Sequence, residues 1–184
     1  MGGEVARAYG VYAEVFPRAA NLPDMLLNRA EVLAALGRHL EAGKQAMRAA
    51  NILKEGERQR DGLYDAVVYF QKSLENRSNE NQFSRVAARA SMRRAARRLL
   101  PYELEENKER RVKFAIAETY YQEGRYLHAI DQLSAVAYEF PSSEEADAAI
   151  QLVLDSYDTL NDYDGLRFAS RRFLQSDSPA SKKL

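Results

Sequence analysis

His39 and His128 are the only histidines in the chain, and no cysteine accompanies them. A metal site needs several such ligands converging, commonly two on one helix face, and neither histidine has a second histidine or a cysteine at that spacing. Both fall at or just after breaks between periodic segments and read as surface or turn histidines. Carboxylates are plentiful, with 27 Asp and Glu. General acid–base work needs two of them in one pocket at different proton affinities, whereas these recur at the spacing of a solvated helix surface. No GxSxG, glycine-rich phosphate loop or HExxH occurs, so acyl transfer, phosphoryl transfer and zinc hydrolysis lack a local signature. The expectation is a chain without catalysis, metal or cofactor.

The strongest charged constellation is FSRVAARASMRRAARRLL, residues 83–100, which holds Arg85, Arg89, Arg93, Arg94, Arg97 and Arg98 and no acid. Arg85, Arg89, Arg93 and Arg97 stand four apart, as along one edge of a helix. Arginine forks match phosphate oxygens and release counterions, so this Arg85–Arg98 helix is the place to expect anionic lipid or nucleic acid. Two features weigh against it. The acidic run Glu103, Glu105, Glu106 and Glu109 follows directly after Pro101 and could pair with the arginines internally. No aromatic is interleaved with the arginines to stack on bases, which disfavours nucleic acid.

These groups need elements to hold them, and the stretch FAIAETYYQEGRYLHAIDQLSAVAYEFP, 114–141, shows what those elements are. Ile116, Ala117, Tyr120 and Tyr121 recur on one helix face. Gly124 interrupts, and Tyr126, Ala129, Ile130, Leu133, Val136 and Ala137 build a second face before Pro141 stops it. Ala117 and Ala129 let two backbones approach closely. This order of residues resembles the tetratricopeptide repeat, with Lys113 where that repeat has an aromatic. Residues 22–53 follow the same logic through Leu26, Ala30 and Leu33, a turn at Gly37, and Ala42, Ala46 and Ala49. Pro23 beside Asp24 opens the first helix, and Gly43 sits inside the second. Ser142–Leu160 and Tyr163–Leu174 make a last pair, offset by 37 residues from the one at 114–141, with Leu166 where alanine is expected. Between them, 54–112 reads as an irregular middle: a helix over Gly62–Leu74, a polar loop over Glu75–Gln82, a longer helix to Leu100, and a charged helix from Glu103.

The resemblance implies an all-α, right-handed α-solenoid of stacked helix-turn-helix repeats. It has about four pairs behind a leading half repeat at Val5–Phe16, in one domain over 1–175 with a flexible tail at 176–184. An opening half repeat is what a segment of a longer protein would show, so a signal or anchor could precede it. In this family the groove is lined by outward positions of the first helices, here Leu27 and Glu31, then Phe114, Glu118 and Tyr121, then Gln151, Asp155 and Asp158. Such a groove is acidic with aromatic patches. The resemblance therefore implies a scaffold that binds a basic, partly apolar segment of a protein partner. The lysine and asparagine clamp that holds a terminal carboxylate in chaperone adaptors has no counterpart at these positions. The extended spacing and the Phe140–Ser143 linker resemble bacterial envelope repeats of the Tol-Pal-associated, outer-membrane-assembly and gliding-motility kinds. They imply the periplasm or cell envelope, with the cytoplasm as the alternative.

Composition is compatible with this picture. A 46% hydrophobic fraction rich in alanine suits close-packed helices, and no stretch has the length and apolarity of a membrane span. The formal net charge is zero, yet residues 1–100 carry 17 basic against 11 acidic side chains and residues 101–184 carry 10 against 16. Such polarity fits two functional faces or head-to-tail self-contact better than a surface built to cover a polyanion.

Overall fold

The computed structural model describes residues 2–75 and 82–175. Among the described residues there are nine helices and no strand, as an all-α chain requires: α1 (Gly2–Val15), α2 (Leu22–Ala35), α3 (His39–Ile52), α4 (Glu57–Glu75), α5 (Gln82–Leu99), α6 (Glu106–Gln122), α7 (Tyr126–Glu139), α8 (Glu144–Thr159) and α9 (Tyr163–Leu174). Prolines bracket the helices as their missing N–H and fixed φ dictate. Pro17 and Pro141 lie just beyond α1 and α7, while Pro23 occupies the first turn of α2. The expected polar loop falls largely, and the expected tail at 176–184 wholly, outside the described residues. No described helix is long and apolar enough to cross a membrane.

Three of the inter-helix turns are the same object. At Gly37, Gly124 and Asn161 the backbone enters the left-handed region, with φ of 74°, 72° and 56°. Each turn residue donates its N–H three residues back, to Ala34, Tyr121 and Asp158, at 2.9 Å in every case. The following N–H reaches five residues back, from Arg38 to Leu33, Arg125 to Tyr120 and Asp162 to Tyr157, at 2.9, 2.9 and 3.0 Å. This is the Schellman closure, which satisfies carbonyls orphaned at a helix end and reverses the chain at once. Glycine costs nothing there, and asparagine is among the few side chains that tolerate it.

The chain divides into two compact units, Met1–Glu103 and Leu104–Leu184. In the first, each of α1 to α5 packs on the next; in the second, α6 to α9 do so and α6 also packs on α8. The division falls inside the span that read as irregular. Helix α4 begins 35 residues after α2, and α8 begins 38 after α6, but α6 begins 49 after α4.

Small residues set the close approaches. Ala117 and Ala129 are wholly buried in the core of the second unit with Leu133, Val153 and Phe173. Gly43 is not a weakness in α3: a Cβ there would stand 2.8 Å from two carbons of the wholly buried Phe70 ring. In the last pair the close approach belongs to Gly165 rather than to Leu166. A Cβ on Gly165 would lie 2.4 Å from Tyr157 Cε1, so this ring occupies the space that the sequence pattern assigns to an alanine one residue later.

Helix α4 starts five residues ahead of Gly62 because buried Gln59 is recruited to the end of α3. Its Nε2 donates to the carbonyls of Ala50 (2.9 Å) and Leu53 (2.8 Å), and its Oε1 accepts from Tyr102 Oη (2.7 Å). Arg98 adds donors to Ala50 O and Asn51 Oδ1. A shallow cleft of about 370 Å³ lined by Glu55, Gln59, Arg98, Pro101 and Tyr102 results. Its polar groups answer the helix-end carbonyls that α3 leaves unpaired.

Candidate functional site

In the first unit, α2 and α4 meet through side chains 34 or 35 residues apart. Arg58 pairs with Asp24, 34 residues apart. Leu27 Cδ2 lies 3.7 Å from where a Cβ on Gly62 would be. Glu31 stands close enough to Asp65, again 34 residues on, to perturb its ionisation. Leu27 is half-buried and leans on the core, so it is a packing residue at the edge of this face, whereas Glu31 is exposed.

Asp65 is the electrostatic centre of the α2/α4 face. Burial, then Glu31, then Asp61, push its carboxyl from the usual range up to about 6. Next along α4, Tyr69 is pushed up to about 12 by burial and by the same two carboxylates, Asp65 and Glu31. Arg60 balances Asp61 at 3.0 Å, but among the described residues Glu31 and Asp65 have no ion-pair partner. Two like charges are thus held together on a partly desolvated surface. Asp61, Asp65 and Tyr69 escaped the sequence reading. The signal that could have found them is the 34-residue step from Leu27 and Glu31 to Asp61 and Asp65.

The second unit repeats the arrangement. Arg110 Nε donates to Glu145 Oε2 at 2.6 Å, 35 residues on, and Tyr121 Oη donates to Asp155, 34 residues on. The hydrogen bond to Asp155, followed by burial, raises Tyr121 to about 12. Gln122 Nε2 donates to Glu118 Oε1 at 3.1 Å, and the Tyr126 ring stands edge-on to Tyr121 at 5.7 Å. Glu118, Tyr121 and Asp155 are therefore brought together on one α6/α8 face, with Gln151 and Asp158 exposed one turn either side of Asp155. Phe114 is half-buried against the core cluster and contributes to packing more than to an open surface.

The arginine helix is not the continuous exposed edge that its spacing suggests. Arg89 is buried at 9% exposure, Arg85 and Arg93 are half-buried, and of the four only Arg97 is exposed. Ala88, Met92, Ala95 and Leu99 are its buried apolar face, and the four-residue step drifts enough around the helix to carry Arg89 inward beside them. The acidic run after Pro101 is engaged locally: Glu105 with Lys108 at 3.2 Å and Glu109 with Lys113 at 2.7 Å. Lys113 also reaches Glu139 at 2.6 Å and sits over the Phe140 ring.

His39 opens α3, and His128 is exposed on α7 with its ring 5.8 Å from that of Tyr120. Among the described residues no group of His, Asp and Glu stands close enough to hold a metal ion. What the geometry offers is a pair of similar faces, each built from two helices whose side chains meet at a step of 34 or 35 residues and each carrying carboxylates beside tyrosine. No protein-family model matches this sequence, and no curated protein matches it.

Proposed function

We propose that this chain is a non-catalytic protein-interaction scaffold, a right-handed α-solenoid of tetratricopeptide-like pairs whose first helices receive a basic, partly apolar segment of a partner. The observation that carries this reading is the recurrence of the same cross-helix step in both units. Asp24 to Arg58, Tyr121 to Asp155 and Arg110 to Glu145 are contacts at 34, 34 and 35 residues. A step of that length between successive first helices is what stacked helix pairs of this kind require, and within each unit stacking leaves the outward positions of those helices as a shared lining.

The electrostatics support the sign of the partner. A carboxyl held at about 6 by burial and two neighbouring acids is more comfortable beside a cation than beside water. Lysine or arginine from a partner would relieve that repulsion, and the tyrosines supply surface for an apolar anchor. The resemblance to envelope repeats suggests a larger bacterial assembly in the periplasm or cell envelope as the setting.

The test is a binding titration with labelled helical peptides carrying alternating Arg and Leu on one face, against acidic and scrambled controls. Binding to the basic peptide, lost in Glu31→Lys with Asp65→Lys or in Glu118→Lys with Asp155→Lys, is the expected result. Equal affinity of all three forms, native and the two double variants, for all peptides would remove the proposed faces.

A further inference from the structure

Helix α9 carries a surface of the opposite character. Ala169 and Phe173 turn inward and are buried in the core of the second unit, which leaves Arg167, Phe168, Arg171 and Arg172 on the outward side, all exposed. Phe168 is 62% exposed, an unusual position for a side chain of that size on a charged helix. The Arg172 guanidinium lies 5.0 Å from the Tyr138 ring centre and 5.7 Å from that of Phe168, and Tyr138 stacks on buried Phe173 at 5.4 Å. Arg172 therefore lies against both rings in the free chain. Among the described residues the Arg167 and Arg171 side chains have neither a hydrogen bond nor an ion-pair partner.

We infer that this α9 face is itself a ligand for the α6/α8 face of a second copy of the chain, so that copies associate head to tail. The inference rests on the reading of that acidic face given above and names its occupant. The match is chemical on both counts. Arginine forks on α9 meet the carboxylates of Glu118, Asp155 and Asp158, and Phe168 meets the Tyr121 ring. Because the inward side of α9 is already packed in the core, its outward side cannot fold back onto its own unit, so a contact between this face and the α6/α8 face joins two molecules. The donor and acceptor patches are different surfaces of one unit. A head-to-tail contact of this kind is heterologous and can propagate.

Sedimentation velocity of the full chain over a concentration series tests this. Species larger than the monomer should grow with concentration and decline at high salt, as exposed charge pairs are screened. Arg167→Glu with Arg171→Glu, which alters only exposed side chains, should weaken association about tenfold or more, and Glu118→Lys with Asp155→Lys should do the same. Circular dichroism confirms that each variant is folded. An equimolar mixture of the two variants should associate again, because opposite charges then face each other across the contact. A chain that stays monomeric at all concentrations, or a self-association that neither variant weakens, overturns the inference. If the chain stays monomeric while the basic peptide still binds the α6/α8 face, the self-contact fails and the interaction reading stands. If the peptide does not bind either, both fail. Capture of an acidic peptide by α9 in a chain that does not self-associate assigns that face to another partner and likewise overturns the inference.

Discussion

Replacing Gly43 by alanine sets two opposing effects against each other, and the structure says how to separate them. Gly43 lies in the interior of α3, where alanine is favoured over glycine by about 1 kcal/mol through backbone entropy alone. The new methyl carbon, however, would stand 2.8 Å from Phe70 Cδ1 and Cε1 and 3.0 Å from Cγ. Carbon atoms pack best at about 3.5 to 4.0 Å, so the ring must retreat by roughly 0.7 Å. Phe70 has no exposed surface and cannot retreat into solvent, which places the cost in the usual overpacking range of about 1 to 3 kcal/mol. The helix gain and the steric cost then nearly cancel or leave a net loss. In a Phe70→Leu background the steric cost falls away and the helix gain remains. Urea unfolding of the four proteins of this cycle should therefore show Gly43→Ala to be more favourable by about 1 to 3 kcal/mol in the Phe70→Leu background than in the native one. Additivity, with Gly43→Ala stabilising both backgrounds equally by about 1 kcal/mol, would refute the close approach of α3 and α4 described above.

Ala129→Leu, at a wholly buried position, should lower stability by about 1 to 3 kcal/mol in thermal or urea unfolding, with no change in helix content below the transition. Asp65 has a folded value of about 6 against an ordinary 3.8, so its penalty is absent below pH 4 and grows as pH rises through 4 to 6. Asp65→Asn should accordingly stabilise the chain at pH 7, by about 1 kcal/mol once screening of this partly exposed group is counted, and give no gain near pH 4. Tyr69 and Tyr121 are both held protonated to about 12 against an ordinary 10. Their contribution is present below pH 10 and lost as pH rises from 10 to 12, so unfolding midpoints should fall across that window and fall less in Tyr121→Phe.

Much of the helical framework was legible because proline and glycine punctuate it. Pro17, Pro23, Gly37, Gly124 and Pro141 placed helix ends to within a few residues of where they lie. Asn161 does the work of glycine in the last turn, which its tolerance of the left-handed region permits but does not announce. Less legible was which ring covers which small residue. Gly43 under Phe70 and Gly165 under Tyr157 are contacts between different helices, and periodicity along one helix carries no information about its neighbour. Arg89 shows the same limit: a run of charge suggested an open edge, while its apolar neighbours on α5 carry it inward. The α4 side of the α2/α4 face, Asp61, Asp65 and Tyr69, was missed for a different reason. The extra length between α4 and α6 obscures the repeat period, so the 34-residue step from Glu31 to Asp65 emerges only once the two helices are seen together.

If the acidic α2/α4 face receives a cationic partner, as proposed, the ionisation of Asp65 reports on it directly. Carboxyl-carbon nuclear magnetic resonance of the full chain, titrated with and without a saturating basic amphipathic peptide, follows this one group. The expected midpoint is near 6 for the free chain, set by burial, Glu31 and Asp61, with a clear downward shift when lysine or arginine of the peptide takes its place beside them. A midpoint near 4 in the free chain, or one that stays near 6 with the peptide fully bound, would contradict it.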